Sequence, residues 1–276
     1  MRLPLRTGAR RAGHYLPFAT SGLQTLLQYR TTFLITGVTA AAGAAVTVFL
    51  WRAVYAGSPG PGPGGFTPES ITTYLVVAQV LSVIHANRVD DEVAAEVYRG
   101  DIAVMLVRPV SYPLVRFAAS LPVVGTNAVL VGVPLLALFA AFVPLTTPGP
   151  VDAALFLGST VLSAVIAFCV NLLTGMAGFL TTNTWGVRMV KQGVVAFFAG
   201  QMVPLALMPG PLHTLAMILP FRAMADGPLT LLLGRYEGVG GAAEVLGHQL
   251  GWSAGLVLLC AALWRSAASR LEVLGG

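Results

Sequence analysis

The sequence has little charge. Only 10% of its 276 residues are Asp, Glu, Lys or Arg, whereas 56% are hydrophobic. An average soluble domain carries about 25% charged residues, and a soluble chain of this length needs a polar surface that so few charges cannot supply. The shortage argues against a soluble enzyme, a nucleic-acid-binding domain and a disordered chain.

Several residue patterns that define catalytic sites are also missing. A phosphate-binding P-loop needs glycine directly before its lysine, and the only lysine, Lys191, follows Val190. None of the four histidines belongs to an HExxH zinc motif. The two cysteines, Cys169 and Cys260, lie in apolar stretches, where we expect small buried thiols instead of a disulfide or metal ligands. We predict no catalytic residue, no metal site and no cofactor bound by this chain.

The few charges leave six long stretches of the chain uncharged. Crossing the hydrocarbon core of a membrane takes about 20 mostly apolar residues, and helices satisfy the backbone polar groups within lipid. The sequence therefore predicts an all-α membrane protein with one transmembrane domain over residues 1–276. Its six transmembrane helices are predicted at approximately 32–56, 69–87, 114–145, 153–181, 190–207 and 246–265.

The arginines decide the predicted orientation, because cytoplasmic segments carry an excess of Lys and Arg. With the N-terminus in the cytoplasm, only Arg52, Arg222 and Arg235 of the sixteen basic residues fall on the outer side. Six spans return the C-terminus to the side of the N-terminus. We therefore predict that both termini are cytoplasmic, and that the net charge of +5 reflects membrane topology before any anionic ligand.

Two segments outside the plain spans have features of membrane contact. Leu16, Leu23 and Leu27 share one face of a helix near the N-terminus, which predicts an interfacial amphipathic helix lying on membrane lipids. The alternative is a frayed start of the first span. Between the last two spans, prolines divide the apolar chain, so 208–244 is predicted as an outer re-entrant region. The alternative there is an ordinary loop with surface helices.

Three glycines open the last predicted span at intervals of four residues: Gly247, Gly251 and Gly255. Glycines at this spacing form a groove on one helix face and allow another backbone to approach closely. We expect them to pack against a second helix, either within the chain or in another subunit.

The loop at 88–112 holds five of the eleven acidic residues. Asp90, Asp91 and Glu92 suit the first turn of a helix, Gly100 would end it, and Asp101 would cap a second short helix. The apolar residues that follow, Ile102, Val104, Met105, Leu106 and Val107, are unusual for a solvated loop. An exposed apolar face of this kind indicates a docking partner, unless the loop folds back onto the membrane surface.

Two stretches carry a resemblance to a known family. Glu96 to Ser111, EVYRGDIAVMLVRPVS, and Phe49 to Tyr55, FLWRAVY, resemble the corresponding parts of ABC-2 type permeases, the transmembrane subunits of bacterial ABC exporters. The resemblance implies the helical fold of type V exporters, a cytoplasmic ABC ATPase subunit that holds the ATP and magnesium, and a second permease chain, identical or paired. The implied coupling interface with the ATPase comprises Glu96, Arg99, Gly100, Asp101, Ile102, Met105, Leu106 and Arg108.

This resemblance predicts a permease subunit in the bacterial plasma membrane, exporting by alternating access driven by the separate ATPase. The shortage of charge in the spans favours a neutral or amphipathic small molecule or a lipid-like compound as substrate. Uncharged polar and aromatic residues of the spans are the candidates for its pathway: Gln79, Asn127, Asn171, Thr174, Phe197, Phe198 and Gln201.

Two other functions remain open at the level of the sequence. An intramembrane prenyltransferase would hold magnesium and diphosphate with an Asn/Asp motif, of which Asn87 and Asp91 have the spacing, although Ala95 occupies the next position. An unpowered channel or a structural membrane protein is the second alternative.

Overall fold

The fold is a bundle of α-helices, seen in a computed structural model that describes residues 30–55, 62–102, 105, 111–181 and 184–274. All regular elements in these ranges are helical, so the all-α prediction is confirmed. The ten helices given by these ranges are α1 (Arg30–Tyr55), α2 (Pro68–His85), α3 (Val89–Arg99), α4 (Tyr112–Asn127), α5 (Val133–Phe142), α6 (Pro150–Met176), α7 (Thr184–Phe198), α8 (Gly210–Ile218), α9 (Asp226–Leu232) and α10 (Gly238–Leu274).

Shorter turns connect several of these helices. A π-helical turn, Ala128–Gly132, joins α4 to α5 without a break in the chain direction. Single 3-10 turns occur at Pro63–Gly65, Ala177–Phe179, Leu205–Leu207 and Arg222–Met224.

Five helical segments are long and apolar enough to cross a membrane. They are Phe33–Tyr55, Pro68–Arg99, Tyr112–Phe142, Pro150–Phe179 and Gly238–Ala267. They correspond to the first four predicted spans and the last one. The second continues beyond its predicted end at residue 87, and the last begins before residue 246.

The predicted span 190–207 has different bounds in the structure. Its helix, α7, begins at Thr184, ends at Phe198 and has 15 residues, which is shorter than the other five segments. The helix ends where Gly200 takes a positive φ of 80°, a conformation that favours glycine. Pro204 follows and removes a backbone donor that a longer helix would need.

α6 occupies the centre of the bundle and packs against α3, α9 and α10, while α1 packs along α2. Large apolar side chains such as Phe49, Phe142 and Leu258 point outward and are exposed. Exposed apolar surface on this scale is unfavourable in water and natural in lipid. The packing therefore agrees with a multi-pass membrane protein.

Residues 208–244 contain α8, α9 and the start of α10. α9 is packed inside the protein, since Asp226, Leu229 and Leu232 are all buried. The glycines of α10 face the other way: a Cβ at Gly247, Gly251 or Gly255 would meet nothing within 4 Å. No described part of this chain packs closely on them. The predicted N-terminal interfacial helix lies outside the described residues and stays a prediction.

Candidate functional site

Polar side chains gather at two opposite ends of the bundle. Near the start of α6, Asp152 accepts a hydrogen bond of 2.6 Å from the Tyr236 hydroxyl. Near its finish, Asn171 bonds to Asn87 and Lys191. Asp152 and Asn171 are about 28 Å apart along the helix at its usual rise per residue, close to the thickness of the hydrocarbon core. We call the region beside Asn171 the α3 end and the region beside Asp152 the α9 end.

The acidic residues of α3 form ion pairs with two other helices. Glu92 lies 2.9 Å from Nη1 of Arg116 on α4, and Glu96 pairs with Nη2 of the same guanidinium. Glu96 also accepts a 2.6 Å hydrogen bond from the hydroxyl of Tyr112, the first residue of α4. The negative charges that favour the first turn of α3 therefore also attach this helix to the bundle.

The pairs with α7 are made by Asp90 and Asp91. Asp91 pairs with Nη1 of Arg188. Asp90 Oδ2 lies 2.7 Å from Nζ of Lys191, and the two side chains are only 7% and 16% exposed. Removing one partner of a buried ion pair costs about 3–5 kcal/mol, because an unpaired charge is left in an apolar surrounding.

Two asparagines complete the surroundings of Lys191. Its ammonium group donates a second hydrogen bond of 2.7 Å to Oδ1 of Asn171. The amide of Asn171 donates in turn to Oδ1 of Asn87 at 2.9 Å. Asn171, predicted to line the substrate pathway, thus lies in a network that holds α2, α3, α6 and α7 together.

Glycines of α6 and of the turn after it let α3 approach closely. A Cβ on Gly175 would lie 2.8 Å from Cβ of Val93 and 3.0 Å from the carbonyl oxygen of Asp90. A Cβ on Gly178 would lie 3.3 Å from Cα of Ala94. The first part of α3 is therefore packed into the bundle and is not a helix of a free loop.

The predicted coupling residues separate into two groups. Arg99 and Asp101 form a 2.8 Å ion pair on the surface, 61% and 56% exposed, around Gly100, which ends α3 with a φ of 77°. Ile102 is buried, and Met105 packs against the core. Glu96 is held within the chain as described above, and Leu106 and Arg108 lie outside the described residues.

A surface groove lined by polar and apolar side chains lies at the α3 end, and the sequence interpretation missed it. Tyr98 and Trp185 are exposed, and Leu180 is 89% exposed. Leu180 lies at the end of the predicted span 153–181 and Trp185 lies between two predicted spans, so no sequence signal separated them from lipid-facing residues. The groove has a volume of about 430 Å³, and its lining residues are Asp91, Ala94, Ala95, Val97, Tyr98, Gly178, Thr181 and Thr184.

The other predicted pathway residues are divided between the two ends. Asn127 donates 3.0 and 2.9 Å hydrogen bonds to the carbonyls of Val83 and Ala86, where α2 finishes. Thr174 bonds to its own helix through the Val170 carbonyl, and Gln79 is half-buried in α2.

Phe197 and Phe198 lie at the opposite end of the bundle from Asn127. They make an edge-to-face pair with centroids 5.1 Å apart and pack on the small cluster of Leu205, Met208 and Ala216. Gln201 follows them, half-buried. The structure thus does not bring the predicted pathway residues together within one chain.

A second polar cluster, also missed by the sequence interpretation, closes the α9 end. The Tyr74 hydroxyl donates to Asp226 Oδ1 at 3.1 Å, and Arg222 Nε lies 3.5 Å from Asp226 Oδ2. The Asp226 amide donates to the Ala199 carbonyl at 3.1 Å. Burial raises the pKa of the Asp226 carboxyl, and Arg222 opposes that rise.

Buried Gln249 adds α10 to this cluster. Its Oε1 accepts a 2.8 Å hydrogen bond from Ser159 on α6, and its Nε2 donates to the Ala223 carbonyl at 2.8 Å. The signal that the sequence offered was an amide within a long apolar stretch.

The residues of the prenyltransferase alternative are engaged with protein groups. Asn87 accepts from Asn171, and Asp91 pairs with Arg188. Among the described residues, no group of three or more His, Cys, Asp or Glu side chains is placed to share a metal ion. Cys169 and Cys260 are both buried free thiols, in agreement with the expectation of small buried side chains.

The chain matches a known family over most of its length. Residues 41–275 match the sequence profile of a family described as ABC-2 family transporter protein. Comparison with curated proteins and with solved structures found no match. The matched range includes every residue of both polar clusters.

Proposed function

Because the chain belongs to the ABC-2 transporter family, we propose that it is the transmembrane permease subunit of a bacterial ABC exporter. It is a multi-pass membrane protein and a transport subunit, and the ATP that drives export is hydrolysed by a separate subunit. The observation that carries this proposal is α3: several ion pairs attach it to two other helices, and its last turn presents exposed Tyr98 and Arg99 to a partner.

Six crossings account for the positions of the chain at the two ends. α1, α2, α4–α5, α6 and α10 provide five of them. α7 provides the sixth, since Arg188 and Lys191 pair with α3 at one end, whereas the Ala199 carbonyl accepts from Asp226 at the other. A helix of 15 residues is about 22 Å long, so this crossing uses a short helix followed by irregular chain, in which Ala199, Gly200 and Pro204 are buried.

The α3 end faces the cytoplasm in this proposal, as the distribution of arginines requires. The ATPase docks on the groove beside α3 and on the adjacent Arg99–Asp101 pair. Tyr98 lines the groove, and Leu180 and Trp185 are next to lining residues in the sequence. We call these three exposed side chains the apolar rim, and the ATPase would bury them as the anchor of the interface. At the opposite face, 208–244 is the outer re-entrant region of this proposal, and its buried helix α9 packs against α6.

Transport in this proposal needs a second permease chain. The predicted pathway residues are shared between the two ends of one chain, so a continuous pathway would form between two copies, with alternating access of the inner and outer openings. The open glycine face of α10 is a surface for close helix packing between subunits. The small amount of charge in the spans supports a neutral or amphipathic substrate.

Co-purification with candidate ATPases tests the proposal. The wild-type permease should elute with one ATPase that hydrolyses ATP in the complex. Leu180→Asp places a charge in the apolar rim and should weaken ATPase binding at least tenfold. Val239→Asp is the matched control, because Val239 is 88% exposed, Leu180 is 89% exposed, and the two lie at opposite ends.

Two outcomes would count against the proposal. If no candidate ATPase binds the wild-type permease, the assignment as an exporter subunit is wrong. If the ATPase binds but Leu180→Asp and Val239→Asp behave alike, the groove is not the docking surface.

A further inference from the structure

α7 is less deeply packed than the helix beside it. None of its residues from Thr184 to Phe198 is fully buried, whereas α6 has eleven buried residues. Its polar attachments include the side chains of Arg188 and Lys191 at one end and the Ala199 carbonyl just beyond the other. The position of α7 therefore depends in part on what these groups bind.

The Lys191 attachment is the more deeply buried of the two ion pairs. Its ammonium group lies 2.7 Å from Asp90 on α3 and 2.7 Å from Asn171 on α6. A compact cation with two short, mostly buried oxygen contacts is costly to separate from them. The contact between α3 and α7 should consequently persist while either helix is displaced.

α3, in contrast to α7, is tightly packed against its neighbouring helices. The close approach at Gly175 fits Val93 against α6, and Arg116 of α4 binds Glu92 and Glu96. A partner that pushes on the exposed end of α3 moves a helix that is stiff and well attached. A displacement of α3 is then transmitted to less tightly packed helices by the side chains that bind them to α3.

The far end of α7 lies at the cluster that closes the α9 end. The Ala199 carbonyl accepts a hydrogen bond from the backbone amide of Asp226. The carboxylate of Asp226 in turn accepts a hydrogen bond from the Tyr74 hydroxyl on α2. Gly200 lies so close to this cluster that a Cβ there would clash with the Tyr74 hydroxyl. A shift of α7 along its axis therefore changes contacts at the α9 end directly.

We infer that Lys191, paired with Asp90, is the positioning residue that transmits displacement of α3 to α7 and so to the α9 end of the permease. The inference rests on the proposed function, because the ATPase supplies the displacement. It adds a mechanical link between the docking helix and the opposite face of the membrane. A pair with a purely structural role would hold the fold together without affecting this transmission.

The test reads the α9 end while the ATPase changes state, and it needs no transported substrate. Met202, exposed just after α7, is replaced by cysteine in a background with Cys169→Ala and Cys260→Ala. The permease–ATPase complex is reconstituted in lipid nanodiscs. The rate of M202C labelling by a charged maleimide is then compared without nucleotide and with ATP and vanadate.

We expect the labelling rate of M202C to change at least threefold with nucleotide. Lys191→Met keeps the length of the side chain and removes its charge, and should abolish that change while ATPase binding and ATP hydrolysis persist. Lys191→Arg keeps the charge and should retain most of the change. An unaltered nucleotide response in Lys191→Met, or no response in the parent protein, would overturn the inference.

A folding defect is separated from a transmission defect by removing both charges. If Lys191→Met does not assemble, Asp90→Asn combined with Lys191→Met leaves no buried charge without a partner. This double variant should assemble and still lack the nucleotide response. If it responds like the parent protein, or also fails to assemble, the pair has only a structural role.

The amine of Lys191 allows a second measurement of the same inference. It is the only lysine in the chain, so apart from the chain terminus its ε-amine is the one target for an amine-reactive ester. If the ion pair between Lys191 and Asp90 stays intact, Lys191 should react slowly with the ester in every nucleotide state. Rapid labelling in any state would contradict the inference. If the parent permease binds no ATPase, the proposed function fails first and is recognised by that result alone.

Discussion

At the scale of single residues, the ion pairs of the α3 end contribute different amounts to the stability of the fold, depending on how deeply they are buried. Lys191 and Asp90 are largely shielded from water, whereas Arg99 and Asp101 are mostly solvated at a similar ion-pair distance. Exposed ion pairs contribute about 0–1 kcal/mol, because water and salt screen them. Two pairs that look alike in distance should therefore respond very differently to substitution.

Replacing Asp90 by Ala should lower the stability of the folded permease by about 3–5 kcal/mol, because Lys191 is left without its carboxylate. Arg99→Ala should change it by less than about 1 kcal/mol. Thermal unfolding of both purified variants in the same detergent measures the difference. Equal unfolding temperatures for the two variants would contradict the burial argument.

At the scale of helices, the close packing of α3 on α6 depends on the absence of a side chain at Gly175. Gly175 faces Val93 and the backbone of Asp90 within van der Waals distance. Gly158, on the same helix, has nothing within 4 Å of its Cβ position. Comparing an alanine substitution at each of the two glycines therefore separates the effect of helix propensity from the effect of packing.

Gly175→Ala should destabilise the permease by about 1–3 kcal/mol, because the added methyl group forces α3 and α6 apart. Gly158→Ala should be neutral or slightly stabilising, since alanine is favoured over glycine within a helix. Unfolding temperatures give the first comparison, and ATPase binding gives the second. A Gly175→Ala variant as stable as Gly158→Ala would show that α3 does not pack on α6 as described.

At the scale of the whole molecule, the two polar clusters lie at opposite ends of the helical bundle. The chain passes between them along α2, along α6 and along α10, whose Trp264 stacks on Tyr112 with ring centroids 4.3 Å apart at the α3 end. Residues of the same cluster come from distant parts of the sequence.

Topology is testable with single cysteines at the two ends. Val239→Cys should react with an impermeant maleimide on intact cells, and Tyr98→Cys should react only after permeabilisation, because the proposed orientation places Tyr98 at the cytoplasmic end. Both variants are made with Cys169→Ala and Cys260→Ala and expressed without the ATPase, which would cover Tyr98. Reversed labelling would mean that the orientation inferred from the arginines is wrong.

The candidate site was only partly predictable. The first turn of α3 and its end at Gly100 follow from local chemistry, namely the helix dipole and a positive φ, and the structure has both. The partners of the acidic residues do not follow, because Lys191 lies 101 residues from Asp90 along the chain. An ion pair at that separation depends on how helices pack, and the contacts of Glu96 with Arg116 and Tyr112 were likewise not readable from the sequence.

The sequence by itself determined that this protein is helical and crosses a membrane, because spans are set by the length and polarity of consecutive residues. Its motifs likewise indicated the family. Only the tertiary structure decided where α7 ends, which glycines receive a neighbouring helix, and which charges neutralise one another. Those features arise from close approach between distant segments, so the residues at Gly175, Lys191 and Asp226 acquire their roles only when the bundle is assembled.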